Sequence, residues 1–220
     1  MSVYRSFQLS CACGYEFEAT LWDSINVTEQ QELKQRLLTG DINQIQCEKC
    51  KKRSYVEKHL LYHDMDRKLW VQMFPKGDRG KWQELEEDHK DIIKKNSKVK
   101  EYVFRLAFGQ EELLEKIRIF DNELDDRIVE VLKLKILEQD EALKDVTDAQ
   151  LTFTQFFSQK EEMQFKMVSH EKNITQTLVI PFEHYEEIEE AGEHLASPNE
   201  NFKTLCRGLY INVNKMRTFH

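Results

Sequence analysis

Proline and glycine are scarce in this chain, at 3 and 7 of 220 residues. So few turn formers exclude a collagen-like or linker-rich polypeptide, and a hydrophobic content of 40% excludes a disordered one. No run of 18 apolar residues occurs, so no segment has the pattern of a membrane-spanning helix. The first residues, Met1 to Ser6, lack the apolar run of a signal peptide, which makes the cytoplasm the expected compartment. Cysteine is rare too, at 5 residues. In a reducing compartment paired cysteines serve more often as metal ligands than as disulfides. Basic charge falls short of acidic, 32 residues against 40, for a net charge of −8. The whole shortfall follows residue 76: residues 1–76 hold 11 basic and 10 acidic side chains, residues 77–220 hold 21 and 30. That balance disfavours a general polyanion binder, which must neutralise phosphates with Lys and Arg.

What the chain does have is two tight cysteine pairs, Cys11-Ala12-Cys13-Gly14 and Cys47-Glu48-Lys49-Cys50. A tetrahedral four-cysteine zinc site needs two such pairs, each supplying one edge. The reading is one structural Zn²⁺ held by Cys11, Cys13, Cys47 and Cys50, with no coordination position left for water. Because the first pair has a single intervening residue, His59 or His63 is kept as an alternative fourth ligand. Gly14 fits a turn that requires positive φ.

Hydrophobic periodicity places the pairs. Residues 3–9 and 15–21 alternate as two strands joined by the first pair. A helix is expected after Thr28 as N-cap, with a Leu33, Leu37, Leu38 stripe and Gly40 as its stop. A second hairpin runs from Asn43 to about Leu61, and Leu69–Phe74 is another strand. Residues 76–80 read as a linker, dividing the chain into domains 1–76 and 77–220. The second is expected to hold helices over 82–96, 111–120 and from Asp121 or Asn122 through Leu137, and a strand over 102–108. An antiparallel meander over 151–158, 162–169 and 176–180 follows, then an acidic helix from Pro181 to about Leu195 and a short strand at 209–213. The fold class is therefore α+β: zinc-ribbon-like β-hairpins with an inserted helix, then helices packed on an antiparallel sheet.

The cysteine pairs with Trp22-Asp23-Ser24-Ile25-Asn26, Leu38-Thr39-Gly40-Asp41-Ile42-Asn43 and Leu61-Tyr62-His63-Asp64 resemble the CpXC domain family of bacteria and archaea. The resemblance covers about residues 5–75 and returns over about 100–135. It implies a small zinc-ribbon-like domain in a prokaryotic cytosolic protein and implies no reaction. The chain departs from the family's Cys-Pro-x-Cys knuckles: its first pair is one residue shorter, neither pair has Pro, and Lys51 stands where Gly is expected.

Three further clusters bear on function. His63, Asp64 and Asp66 form the most enzyme-like group, but neighbours on a strand point to opposite faces and no nucleophile motif accompanies them. Lys49, Lys51, Lys52 and Arg53 surround the second knuckle, where a zinc ribbon can meet nucleic acid, with Tyr55 available to stack on a base. Glu183, His184, Glu186, Glu187, Glu190, Glu193 and His194 read as a solvated acidic face, and Cys206 as a small buried hydrophobe. The leading reading is a binding or regulatory module with a protein partner; the alternatives are a nucleic-acid-binding ribbon and a metal-assisted hydrolase at His63 and Asp64.

Overall fold

The computed structural model describes residues 1–95, 101–139, 148–192, 194 and 199–216. They fall into two compact units, one of residues 1–81 and 87–114, the other of 82–86 and the residues from 115 on.

The first unit contains strands β1 (Val3–Ser10), β2 (Glu16–Asn26), β3 (Gln44–Gln46), β4 (Arg53–Tyr55), β5 (Leu60–Asp64), β6 (Leu69–Phe74) and β7 (Val103–Phe108). Five of them form one sheet in the order β1-β2-β5-β6-β7, while β3 and β4 pair separately. β1 with β2 and β5 with β6 run antiparallel; β2 with β5 and β6 with β7 run parallel. A parallel pair requires a long crossover. The one from β2 to β5 carries helix α1 (Gln31–Leu38) and then the β3–β4 hairpin. Alternation sets the faces: Leu60, Tyr62, Leu69, Val71 and Met73 are buried, while Leu61, His63, Trp70 and Gln72 are half-buried. Leu33 and Leu37, one helical turn apart, are the buried residues of α1.

The second unit packs an antiparallel sheet, β8 (Gln150–Phe157), β9 (Glu162–Ser169) and β10 (Ile174–Pro181), in the order β10-β9-β8. Phe153, Met163, Phe165 and Met167 share its core with Ile128, Val131 and Leu132 of α4 (Asp126–Gln139) and Tyr185 and Ile188 of α5 (Glu183–Glu190). The expected meander is present, and Met163, Phe165 and Met167 are core residues.

Two lysines lie in this interior at 0–1% exposure, each fully paired. Lys116 of α3 (Gln110–Asp121) reaches Asp126 at 3.0 Å and Glu130 at 3.1 Å. Lys133 reaches Glu115 at 2.9 Å and Glu130 at 3.0 Å. Glu115 also accepts from the backbone N–H of Phe153 (2.6 Å) and Glu130 from that of Val213 (2.9 Å). Buried charges require such complete pairing, because a lone one is driven back towards water or neutrality.

Several local expectations are corrected. Thr28 does not cap α1: its hydroxyl accepts from the N–H of Met65 (2.8 Å), and the residue before the helix, Gln30, makes no side-chain cap. Residues 76–80 are not a loose linker but lie in a 3-10 turn whose buried Arg79 meets Glu112 at 2.8 Å. Neither Asp121 nor Asn122 starts α4. Asn122 closes α3 by donating to the Arg118 carbonyl (2.8 Å), and Asp125 accepts from the N–H of Arg127 (2.8 Å) at the start of α4. Residues 209–213 form no strand, because their N–H groups serve carboxylates: Leu209 and Tyr210 donate to Glu86 at 2.9 and 3.0 Å. Helix α2 spans Trp82–Lys95, its expected end at Asn96 lying outside the described residues. The acidic helix is shorter than expected: Pro181 ends β10, and α5 stops at Glu190, ahead of Gly192 at φ 65°.

Candidate metal centre

The two knuckles sit at the ends of two hairpins. β1 and β2 converge on Cys11–Tyr15, where the N–H of Cys11 donates to the Tyr15 carbonyl (2.9 Å) and that of Gly14 to the Cys11 carbonyl (2.8 Å). β3 and β4 converge on residues 47–52, where Cys47 donates to Lys52 (3.0 Å) and Lys51 to Cys47 (2.9 Å). Each turn closes through a residue of positive φ, Gly14 at 81° and Lys51 at 61°. Lys51 thus adopts the conformation that glycine takes most easily.

The hairpins bring all four sulfurs within 4.8 Å of one another. Cys11 Sγ lies 3.6 Å from Cys50 Sγ, and Cys13 Sγ lies 3.7 Å from Cys47 Sγ. For metal–sulfur bonds of about 2.3 Å, a tetrahedron has edges of about 3.8 Å, so these separations fit a four-thiolate site. The short Cys11-x-Cys13 pair delivers both its sulfurs, and no histidine belongs to the group. Four cysteines so placed could hold a metal ion.

Backbone dipoles favour thiolate at the second knuckle. N–H groups of Cys50 and Lys49 aimed at the Cys47 sulfur outweigh its burial and draw its pKa down to about 6. At Cys13 the Tyr15 N–H works in the same direction, but the crowding by Cys11, burial, Cys50 and Cys47 pushes that thiol up to about 12. The reluctance of the Cys13 thiol beside the readily formed Cys47 thiolate is what a cation at the centre would relieve, since it attracts both. The hydroxyl of Tyr15 donates to Glu48 (3.3 Å), tying one knuckle to the other.

Two asparagines brace this frame, and sequence reasoning assigned neither a role. Asn43, buried at φ 57°, accepts from the Trp22 N–H (2.6 Å) and donates to the Trp22 carbonyl (3.1 Å), replacing a strand neighbour for β2. Its own carbonyl accepts from Val56 (2.9 Å), so one residue fixes both ends of the β3–β4 hairpin to the sheet. Asn26 accepts from the N–H groups of Thr28 (3.2 Å) and Glu29 (3.3 Å), turning the chain towards α1. Their signal was an Asn in each of the short motifs Trp22–Asn26 and Leu38–Asn43.

The other candidate residues do not converge. His63 stacks on Trp70, centroids 5.1 Å apart, and burial lowers its pKa. Asp64 is buried, accepting from the Arg67 N–H (3.1 Å), with Lys34 at 4.0 Å. Asp66 is exposed in the following turn. Lys49, Lys51, Lys52 and Arg53 are exposed around the second knuckle, Arg53 paired with Asp41 at 3.2 Å, and Tyr55 is half-buried. On the acidic helix, His184 meets Glu187 at 3.2 Å; His194 is buried and not on a solvated face, Glu193 lies outside the described residues, and the others form no ligand cluster among the described residues. Cys206 is half-buried, its thiol pushed up to about 11 by burial.

A family model for CpXC proteins matches residues 9–133. The chain belongs to the CpXC family. No curated protein and no solved structure matches it. The CpXC match takes in both knuckles and both bracing asparagines and extends through α3 to Lys133 of the buried ionic cluster. Among the described residues, no helix is long and apolar enough to cross a membrane.

Proposed function

We propose that Cys11, Cys13, Cys47 and Cys50 hold one structural Zn²⁺, and that this CpXC protein is a binding or regulatory module acting through a protein partner. The convergence of four sulfurs within 4.8 Å of one another, two of the pairs at 3.6 and 3.7 Å, carries the reading. When bound, the ion would cross-link the two hairpins; with sulfur at every corner it offers no site for an activated water. The residues do the rest. Gly14 and Lys51 shape the turns, Asn43 holds the second hairpin on β2, and Tyr15 with Glu48 joins the tips. The divergence of His63, Asp64 and Asp66 supports a role outside general-base catalysis.

Elemental analysis of protein purified without chelator tests the metal. About one zinc per chain is expected, lost in Cys13→Ser together with the structure of the hairpins. Zinc retained at full stoichiometry in that variant would overturn the ligand assignment. A fluorescence-anisotropy titration with single- and double-stranded oligonucleotides tests the mode of action: no salt-sensitive binding is expected. Binding weakened by Lys51→Glu and Arg53→Glu would transfer the function to the basic tip.

A further inference from the structure

β1 ends the five-stranded sheet, and its eight residues, Val3–Ser10, are all exposed or half-buried. The hydrogen bond from Cys11 N to the Tyr15 carbonyl fixes the phase of the ladder. With the register Leu9↔Phe17, Phe7↔Ala19 and Arg5↔Leu21, the odd-numbered residues of β1 bond to β2. The N–H and C=O groups of Tyr4, Ser6, Gln8 and Ser10 therefore point outward from the sheet. Among the described residues no strand pairs with that edge.

Proteins guard such edges with lysine, proline, bulges or very short strands. β1 has no lysine and no proline, and its one register shift lies between Val3 and Tyr4. From Tyr4 to Ser10 the edge is regular. What fits it is an extended strand, and its own sequence is self-complementary.

We propose that this edge pairs with β1 of a second copy of the chain, antiparallel about a two-fold axis at Phe7. Such an axis runs normal to the sheet and keeps like faces together, which requires pairs whose positions sum to an even number. With Phe7 opposite Phe7, Ser6 faces Gln8 and Tyr4 faces Ser10, and both are hydrogen-bonding pairs built from outward-pointing groups. The regular stretch Tyr4–Ser10 is centred on Phe7, so all of it is used and the bulge is left outside. Phe7 gains an aromatic partner at the closer, non-hydrogen-bonded kind of position. Arg5, the only charge on the strand, is already paired with Asp23 at 2.5 Å. It lies opposite Leu9, and the two Arg5 side chains stand roughly 13 Å apart along the strands. Lys58, whose ammonium lies 4.4 Å from the Phe7 ring centre, also comes near the axis, its charge paired with Asp23.

Sedimentation velocity of the full chain over a range of concentrations tests it. A concentration-dependent dimer is expected. Ser6→Pro removes an N–H that β2 does not use, and Ser6→Lys places two cations near the axis while keeping the backbone; each is expected to weaken the dimer at least about tenfold. Circular dichroism and metal content should match the parent, which separates loss of pairing from loss of the fold. Phe7→Cys is expected to cross-link to itself under mild oxidation, and Tyr4→Cys, which faces Ser10, is not. A parent that stays monomeric throughout, or a dimer that both Ser6 variants leave intact, would overturn the proposal.

Discussion

At Lys51 the backbone holds φ at 61°, a region that costs an L-residue with a Cβ roughly 1–2 kcal/mol. Lys51→Gly is therefore expected to stabilise the metal-bound protein by about 1 kcal/mol, read as a raised denaturant midpoint at unchanged slope. Gly14→Ala is expected to do the reverse. A Cβ there meets nothing within 4 Å, so its cost is purely conformational, at about 1–2 kcal/mol for φ 81°. Both residues were legible as turn positions in the sequence, one as the expected glycine and the other as a departure from it. Asn43 was not, because its value lies in two hydrogen bonds to a residue 21 positions away, which no local pattern encodes. His63 and Asp64 are the opposite case: strand alternation alone foretold that they would part, and they do.

Elements defined by periodicity were legible, and elements defined by partners were not. β9, with its alternating methionines and phenylalanine, and the heptad-like stripe of α4 follow directly from the pattern of apolar residues. Residues 209–213 mimic a strand in composition, yet no pattern announces that their N–H groups go to Glu86 and Glu130. The buried ionic cluster that joins α3, α4 and β8 has a consequence for pH. Burial, opposed by Lys133 and reinforced by Glu130, raises the Glu115 carboxyl to about 7. A carboxyl raised in the folded state binds its proton more tightly there than in the unfolded chain. Its stabilising contribution is complete below the unfolded value of about 4.5 and is lost as pH rises through about 7. Urea denaturation followed by signals from the β8–β10 sheet should show stability falling across that window, and Glu115→Gln should flatten the dependence. Lys133, raised by Glu115 and Glu130 against its own burial, keeps its charge throughout that window.

For the whole molecule, chelation is expected to act unevenly. Hydrogen exchange after metal removal should show the amides of residues 11–15 and 44–55 losing protection, while those of β8, β9 and β10, whose core holds Phe153 and Phe165, keep theirs. Uniform loss would mean that the metal supports far more than its hairpins. The sequence placed a boundary after residue 76, at the charged, glycine-containing segment, because the parallel pairing of β6 with β7 leaves no trace in local composition. That pairing decides where the chain can be cut. A fragment ending at residue 76 would remove β7 and bare the hydrogen-bonding edge of Leu69–Phe74, six residues without a charge or a proline. Expressed alone, such a fragment is expected to be insoluble by edge-to-edge association, whereas one carried through β7 and α3 keeps β6 enclosed.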